Sequence, residues 1–408
     1  MDGRIFKPNE TREIAELIAW AVSENQPLEV IGAGTKRDIG RASNCEYVLD
    51  VSAMTGIMLY EPEELILQAH AGTPLEDIEK ALKKHNQELA FEPADYSALL
   101  GVKKAKPTIG GILAGNISGP RRIKAGAARD HFLGVNAVSG RGEIFKSGGR
   151  VVKNVTGYDM CKIMAGSWGT LGVMSDVVVK VLPAPAGQAS IVVLGLSNEQ
   201  AIAAMAQAMK SDCEVTGAAH LPLDIAKKSK ISEIKDLKKP ATIFRLEGVG
   251  PSVTYRRDRL IAILATFGKC EVLKAAISRN LWREICDVTY FVEPAARCVW
   301  RISTTPGEAA KLVAALKKHG SVSAYFDWAG GLIWLSLAAK DDALAGPLRE
   351  LLGHHGGHAT LIRAPAALRA AIPVFQPQNP GLKLLSQRLK RGFDPSGILN
   401  PGRMYAGV

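Results

Sequence analysis

Cysteine is scarce in this sequence and is never clustered. Six cysteines occur among 408 residues, and the two nearest to each other are twelve residues apart. Iron–sulfur and structural zinc sites normally need closer spacing, such as C-x-x-C. We therefore expect scattered reduced thiols and no metal site. The six are Cys45, Cys161, Cys213, Cys270, Cys286 and Cys298.

Long apolar runs and a signal sequence are also missing. No uncharged apolar run approaches the ~18 residues that a membrane helix needs. The best candidates, 189–196 and 330–339, have the length of strands. The N-terminal residues lack the apolar core of a signal peptide. These absences predict a cytoplasmic protein that would meet the inner face of the cell membrane only through partners.

Features typical of nucleic-acid-binding proteins are lacking as well. Aromatic residues make up 6% of the chain, and no helix-turn-helix, zinc-finger or RNA-binding motif is present. The net charge is +11, from 51 basic and 40 acidic residues, and the basic residues are spread along the chain. Two explanations of this charge stay open: a solvated basic surface, and an acidic ligand or partner.

The chain does have an α+β pattern, and its composition differs between two long segments. Its length suggests two domains. Apolar residues at helical spacing predict an amphipathic helix over about 10–24, capped by Asn9 or Thr11. Residues 107–182 are rich in glycine and short in helix. From 190 to 352 strands and helices alternate, which indicates an α+β sandwich.

Four glycine-rich loops occur in the first half, and a related tail ends the chain. Glycine suits a backbone that approaches a large phosphorylated ligand, because it has no Cβ. The first loop is not a Rossmann fingerprint, since Arg37 stands where the third glycine belongs and no helix signal follows. Its consecutive N–H groups can still form an anion site. The loops and tail are 32–37, 107–120, 153–159, 166–173 and 393–403.

The order of these loops resembles the FAD-binding fold of the vanillyl-alcohol oxidase and p-cresol methylhydroxylase class, over nearly the whole chain. The strings are T-I-G-G-x-x-A-x-N-x-S-G, K-N-V-x-G-Y-D, G-S-x-G-T-L-G-V and G-I-L-N-P-G. Four further segments, 118–122, 126–131, 327–331 and 357–361, are similar to the smaller flavin subunit of bacterial glycolate oxidase, also called glycolate dehydrogenase.

The resemblance implies a domain organisation. It predicts a p-cresol methylhydroxylase-type FAD-binding domain of two α/β subdomains, an α+β cap domain, and a C-terminal tail that returns to the FAD domain. The corresponding ranges are 1–186, 187–364 and 365–408.

The resemblance also implies a set of cofactor residues. The first loop would hold the pyrophosphate, the second would line the ribityl chain and isoalloxazine, the fourth would close over the pyrophosphate and adenine, and the tail would reach the flavin. Relatives with covalent flavin often carry a histidine in the first loop, where this chain has Thr35, so FAD should be non-covalent. The residues are Gly32, Ala33, Gly34, Thr35, Thr108, Ile109, Gly110, Gly111, Asn116, Gly166, Ser167, Gly169, Thr170, Val173 and Asn400.

The chain departs from catalytic relatives at one motif. It lacks the H-x-G-D-G-N-x-H-like string by which they bind a metal or position a hydroxy acid, and 354–358 reads as a glycine-broken loop with poor ligand geometry. Arg121 and Arg122 are candidates for a substrate carboxylate, with surface charge or a partner contact as the alternative. His131 is a candidate general base, with a structural hydrogen bond as the alternative.

The resemblance therefore implies an FAD-binding subunit that takes part in the oxidation of glycolate to glyoxylate. Its partners would be a larger catalytic flavin subunit and an iron–sulfur subunit that receives the electrons. Two alternatives stay open: a stand-alone FAD-dependent 2-hydroxy-acid dehydrogenase, and a non-catalytic assembly subunit with a degenerate FAD pocket.

Overall fold

The computed structural model describes residues 4–150, 157–340 and 342–408, so Lys153–Thr156 of the third predicted loop lie outside the described residues. The strands, labelled in chain order, are β1 (Arg4–Phe6), β2 (Leu28–Ile31), β3 (Tyr47–Asp50), β4 (Ile57–Glu61), β5 (Ile66–His70), β6 (Gln87–Glu88), β7 (Phe132–Ser139), β8 (Ile144–Gly148), β9 (Gly172–Lys180), β10 (Leu182–Pro183), β11 (Gly187–Leu194), β12 (Gly217–Leu221), β13 (Ala241–Gly248), β14 (Cys270–Leu273), β15 (Cys298–Thr304), β16 (Val322–Asp327), β17 (Leu332–Leu337) and β18 (Gly357–Arg363).

The helices are short in the first half and longer in the second. They are α1 (Thr11–Ser23), α2 (Leu75–Lys83), α3 (Ile109–Ala114), α4 (Arg122–Ala125), α5 (Ala128–His131), α6 (Met160–Met164), α7 (Asn198–Lys210), α8 (Leu223–Ala226), α9 (Ser232–Lys235), α10 (Gly250–Leu264), α11 (Ala275–Cys286), α12 (Ala309–Lys317), α13 (Ala345–His355), α14 (Ala366–Ala371) and α15 (Pro380–Phe393). Among the described residues, none of them combines the length and apolar content needed to cross a membrane.

The chain separates into two compact units. Unit 1 contains residues 1–118, 126–184 and 377–408, and unit 2 contains 119–125 and 185–376. The domain boundaries proposed from the sequence stay predictions, because compactness alone does not show which segments fold independently.

Unit 1 contains a three-stranded parallel sheet in the order β1-β3-β2. Helix α1 buries Ile14, Ile18 and Ala21, which recur at helical spacing on one face. Each buried isoleucine contributes about 1.5–3 kcal/mol to the free energy of unfolding. The predicted helix was thus confirmed, but its predicted caps were wrong. Glu10 occupies the N-cap position without a side-chain cap, and the Asn9 N–H donates to the carboxylate of Glu13 at 2.6 Å.

A five-stranded antiparallel sheet, in the order β4-β5-β9-β7-β8, forms the other main layer of unit 1. Its central strand β9 is buried along nearly its whole length, as expected of a strand covered on both faces. Asp176 lies in this strand and is 5% exposed. Its carboxylate accepts from the amides of Gln68 at 3.0 Å and Asn136 at 2.8 Å, so the buried charge is hydrogen-bonded.

The C-terminal tail is part of the unit 1 core. The Leu28 N–H donates to the Ile398 carbonyl at 2.7 Å, and the Asn400 N–H donates to the Leu28 carbonyl at 2.9 Å. Ile398 and Leu399 are nearly inaccessible and pack with Ile14 of α1. The end of the chain therefore extends the edge of β2, close to where the first glycine loop begins.

Unit 2 is built on an eight-stranded antiparallel sheet, in the order β14-β11-β13-β12-β16-β17-β15-β18. Its core includes Trp300, whose Nε1–H donates to the Ala343 carbonyl at 3.0 Å, and Tyr325, whose hydroxyl donates to the Ile285 carbonyl at 3.0 Å. The segment 354–358 is not one loop, because His354 and His355 end α13 and His358 belongs to β18. Elements that were not predicted from the sequence include β4, β7, β8, β9, β12, β14, β16, β18, α11 and α15.

Candidate functional site

Unit 1 contains a cavity of about 660 Å³, a volume that includes space open to solvent. It lies where β2 ends, against α3 and the start of β9. Nine residues predicted to hold the cofactor line it: Gly32, Ala33, Gly34, Thr35, Thr108, Gly110, Gly111, Gly169 and Val173.

The first glycine loop leaves its backbone available to a ligand. Gly34 has a φ of +71°, and a Cβ placed there would meet only the Ile31 side chain, at 4.0 Å. In the described part of the chain, the N–H groups of Ala33, Gly34 and Thr35 have no protein acceptor. Bare N–H groups in series attract anions, because each carries a partial positive charge.

Two buried cations, Lys36 and Arg403, reinforce this positive wall. Lys36 is 9% exposed, and its Nζ donates to the Thr35 hydroxyl at 3.1 Å. Burial lowers the pKa of Lys36 to about 8; the charge of Asp95 raises that pKa, and the charge of Arg403 lowers it further. The Arg403 Nη2 donates to the Lys36 carbonyl at 2.9 Å, and its guanidinium lies 5.7 Å from the Trp168 ring centroid.

The second loop forms an adjacent part of the wall and begins helix α3. The Thr108 hydroxyl accepts from the Gly111 N–H at 3.3 Å, which caps the helix. Gly110 lies against the Ala71 backbone, and an added Cβ would approach the Ala71 carbonyl oxygen at 2.8 Å. We expected Gly110 to make room for a ligand, but its Cβ is excluded by the protein itself. Gly111 is different, since its Cβ would point toward Lys36 at 3.4 Å.

The turn at 166–173 is held from behind by Asn400. The Asn400 Oδ1 accepts from the Val30 N–H at 2.9 Å, and its Nδ2 donates to the Trp168 carbonyl at 2.9 Å. Gly169 has a φ of +73°, and a Cβ there would meet the Asn400 amide at 2.8 Å. Asn400 thus joins β2 to this turn, and the structure does not place it on the cavity wall.

Five other predicted cofactor residues do not line the cavity. Ile109 is fully buried in the core, and the Asn116 Oδ1 accepts from the Arg129 N–H at 3.0 Å. Gly166 adopts a φ of +86° in a turn. The Thr170 hydroxyl donates to the Ser167 carbonyl at 2.8 Å, whereas the buried Ser167 hydroxyl has no hydrogen-bond partner among the described residues. A role for these residues in cofactor contact stays a prediction.

The three catalytic candidates have different surroundings. In unit 2, the Arg122 guanidinium lies 4.6 Å from the Trp328 ring centroid. In unit 2, Arg121 makes a bidentate ion pair with Glu247, with hydrogen bonds of 2.7–3.2 Å. Burial raises the pKa of Glu247, but the charges of Arg245 and Arg121 outweigh it, and the net shift is downward. In unit 1, His131 is 3% exposed and its ring centroid lies 5.4 Å from that of Phe91, which favours a packing role.

Sequence reasoning missed Lys36 and Arg403 as site residues. Each lies within a segment that was singled out: Lys36 is part of the first glycine loop, 32–37, and Arg403 ends the tail, 393–403. A basic residue beside a bare glycine loop is a usable signal for anion binding. Lys36 and Arg403 are 367 positions apart, so only the folded structure shows that they are neighbours.

Comparison with known proteins agrees with this geometry. A family model described as an FAD binding domain matches residues 3–148. Glycolate oxidase subunit GlcE of Escherichia coli (strain K12) is 31% identical over 398 residues, covering 97% of each chain. Glycolate oxidase subunit GlcD of Bacillus subtilis (strain 168) is 25% identical over 439 residues, covering 100% of this chain and 89% of that protein.

Among solved structures, p-cresol methylhydroxylase with substrate bound has a TM-score of 0.71 at 14% identity, over 99% of this chain and 88% of that chain. The predicted α+β fold of the p-cresol methylhydroxylase type and the FAD cofactor are thereby confirmed. Since the 31% identity spans nearly the whole of both proteins, this chain belongs to the family of glycolate oxidase subunits that includes GlcE.

Proposed function

We propose that this chain is the FAD-binding subunit of a glycolate oxidase complex, and that FAD occupies the unit 1 cavity. One observation carries the proposal: a bare glycine loop lies beside two buried cations, Lys36 and Arg403, on the wall of one cavity. The loop falls within the span that matches the FAD binding domain. FAD carries a diphosphate, and such an anion complements N–H groups and cations that are already fixed in place.

Different residues would hold different parts of the cofactor. The N–H groups of 33–35, together with Lys36 and Arg403, would hold the diphosphate. Gly111, which has no side chain, would let the ring system lie against backbone, and Val173 would offer it an apolar contact. In the complex, glycolate would lose the hydride of its α-carbon and its hydroxyl proton at the larger flavin subunit to give glyoxylate, and FAD bound in this chain would supply a relay for the electrons. The protein residues would orient the cofactor and limit its contact with water.

The partners in this proposal follow from family membership. A multi-subunit complex is implied because GlcE is a subunit of glycolate oxidase. We propose a larger catalytic flavin subunit and an iron–sulfur subunit as the specific partners, with electrons leaving toward the latter. We further propose that the complex lies in the cytoplasm and meets the membrane only through those partners.

A titration of the ligand-free chain with FAD tests the cofactor site. Flavin fluorescence should report saturable binding, with an affinity at least about tenfold lower in Lys36→Met and in Arg403→Leu, because each removes a charge-assisted hydrogen bond. Lys383→Met, which alters an exposed lysine of α15, is the matched control and should bind as the parent does. A parent chain that refuses added FAD would refute the proposal.

Anaerobic addition of glycolate tests the subunit role. The FAD-loaded chain alone should stay yellow, and bleaching should require the partner subunits. Rapid bleaching of the isolated chain would contradict the subunit role and favour the stand-alone 2-hydroxy-acid dehydrogenase.

A further inference from the structure

Helix α15 of unit 1 leaves three leucine side chains in contact with solvent. Of its 14 residues, only Lys390 is buried. Leu382 is 48% exposed, Leu384 is 45% exposed and Leu385 is 53% exposed. A single exposed leucine is ordinary, but three within four positions of one helix form a patch, and exposed apolar patches mark interaction sites.

One apolar stripe of α15 is covered at its C-terminal end and open at its N-terminal end. Its members recur at intervals of three and four residues, so they share a helix face. They are Leu382, Leu385, Leu389 and Phe393. The Phe393 ring packs on unit 1, with its centroid 5.9 Å from that of Phe145 in β8. Two turns earlier, the same stripe has no comparable cover from the described residues.

The charged side chains of α15 are all positive. The helix sequence, PGLKLLSQRLKRGF, contains lysine and arginine but neither aspartate nor glutamate. Lys390 is paired in the interior with Asp394. The exposed Lys383, Arg388 and Arg391 have no carboxylate partner in the part of the chain that the structure describes. Solvated cations beside an apolar patch complement an acidic surface.

The arrangement of these cations distinguishes between kinds of occupant. Arg388 follows Leu384 by four positions and Leu385 by three, so the three share one helix face. A helix that lies on a membrane keeps its cations on the face opposite its apolar residues. In a symmetric pair of this chain, the cations of one α15 would face those of the other. A protein surface with an apolar centre and carboxylates around it matches the mixed face.

We propose that α15 presents a docking face to another subunit of the glycolate oxidase complex. The docking face consists of Leu382, Lys383, Leu384, Leu385, Arg388 and Arg391. The partner would cover the leucines with apolar side chains and would pair aspartate or glutamate with the cations. The identity of the partner rests on the proposed function, whereas the docking face itself rests on unit 1 alone.

Binding of the purified full chain to purified partner subunits tests the docking face. The probe is the larger flavin subunit together with the iron–sulfur subunit from the same source, and biolayer interferometry measures the affinity. Leu385→Ser should weaken binding about tenfold or more, because apolar burial is lost. Arg388→Glu should weaken it by at least about tenfold, because like charges would then meet, whereas Arg388→Lys should bind within about threefold of the parent.

Met58→Ser and Lys104→Glu are the matched controls. Met58 is 48% exposed, close to the value for Leu385, but it lies in β4. Lys104 is an exposed lysine outside α15. Each control should bind the partner subunits within about twofold of the parent, because isolated surface changes are close to neutral. Circular dichroism would confirm that every variant is folded.

Salt dependence gives a second measurement of the same contact. Raising the salt concentration from about 0.05 M to about 0.5 M should weaken partner binding by the parent more than binding by Arg388→Gln, because salt screens exposed charges. Equal salt dependence of the two proteins would contradict a role for Arg388 in pairing with the partner.

The outcomes separate the docking face from the proposed function. Folded Leu385→Ser and Arg388→Glu variants that bind the partner subunits like the parent would overturn the docking face alone. A parent that holds FAD but binds neither partner subunit would refute the subunit role and the docking face together. Partner binding that depends on α15, in a chain that refuses added FAD, would refute the cofactor proposal and support the docking face.

Two further measurements cover the other occupants. The chain should not sediment with phosphatidylcholine vesicles that contain about one third phosphatidylserine, and it should remain a monomer in sedimentation velocity. Vesicle binding that Leu385→Ser abolishes while partner binding is unchanged would assign the face to a lipid surface. A dimer that Leu385→Ser dissociates, again with unchanged partner binding, would assign it to a second copy of this chain. Either result would overturn the inference.

Discussion

Lys390 and Asp394 form an ion pair in the interior of unit 1, with 2.7 Å between Nζ and Oδ2. The Lys390 ammonium also donates to the carbonyls of Thr170 at 2.7 Å and Leu399 at 2.8 Å. The Asp394 carboxylate accepts from the N–H groups of Ile398 at 3.2 Å and Leu399 at 2.8 Å. One buried pair thus fastens the C-terminal tail to the turn that borders the cavity.

Replacing Lys390 by methionine should destabilise unit 1 strongly. The substitution removes one partner of a buried pair and leaves the Asp394 charge without its counterion, a change that costs about 3–5 kcal/mol. Burial lowers the pKa of Lys390 while Asp394 raises it, so the native protein tolerates this charge only because it is paired. Urea unfolding followed by circular dichroism measures the loss.

Lys383→Met is the control for this change, because Lys383 is exposed on the same helix. Its effect on the free energy of unfolding should stay within about 0.5 kcal/mol. If Lys390→Met unfolds at the same urea concentration as the control, the pair does not hold the tail.

Alanine substitutions at two helical glycines should change stability in opposite directions. At Gly110 the new Cβ would lie 2.7 Å from the Ala71 Cβ, and this overpacking should cost about 1–3 kcal/mol. At Gly353, in α13, no heavy atom lies within 4 Å of the new Cβ. Alanine there should stabilise the protein by about 0.5–1 kcal/mol through its higher helix propensity. Thermal unfolding of both variants measures the two signs.

The Gly110 variant also separates two explanations of that glycine. If Gly110→Ala unfolds like the parent but loses FAD, the glycine serves the ligand directly, as we first expected. Loss of stability, with FAD affinity reduced only in proportion, would support the contact with Ala71.

Local patterns in the sequence were enough for elements that depend on neighbouring residues. Helix α7 lies in the segment 190–352 where alternating strands and helices were predicted, and its alanine-rich sequence indicates a helix with the observed bounds, Asn198–Lys210. The glycine loops were recognised because glycine-rich strings can be read directly from the sequence. Strand β4 was missed because its exposed and half-buried residues give no clear alternation.

Contacts between distant segments could not be read from the sequence. Nothing near Arg121 indicates that Glu247, 126 positions away, would engage it and leave Arg122 to Trp328. Asn400 was expected to reach the flavin, yet its amide is used by Val30 and Trp168. In both cases the residue type was informative, but the fold decided which polar group became its partner.

The flavin should be released when the protein is denatured. Thr35 lies where covalent relatives often have a histidine. The residue is only 4% exposed, and its hydroxyl accepts from Lys36. A threonine hydroxyl at that position cannot form the bond to the flavin ring, so the cofactor depends on non-covalent contacts. Acid precipitation followed by absorbance of the supernatant measures the released flavin. Yellow colour that stays with the washed pellet would contradict this prediction.

FAD affinity should fall as pH rises past the pKa of Lys36. In the ligand-free protein this pKa is about 8, because burial disfavours the charged ammonium. A bound diphosphate would raise the pKa of Lys36. Above about pH 8 the lysine of the ligand-free protein has lost its proton, so FAD binding would then take up a proton. Affinity should therefore be constant below about pH 7.5 and should decrease by up to about tenfold per pH unit above about pH 8.

The Lys36→Met variant tests whether Lys36 is the group whose titration changes FAD affinity. Arg403 stays charged throughout the range, since a guanidinium does not lose its proton in proteins. The variant should bind FAD about tenfold or more weakly at about pH 7, and its affinity should show no decrease between about pH 8 and pH 9. Fluorescence titrations at each pH give both curves. If the variant retains the parent's decrease above pH 8, another group is titrating and Lys36 does not contact the diphosphate.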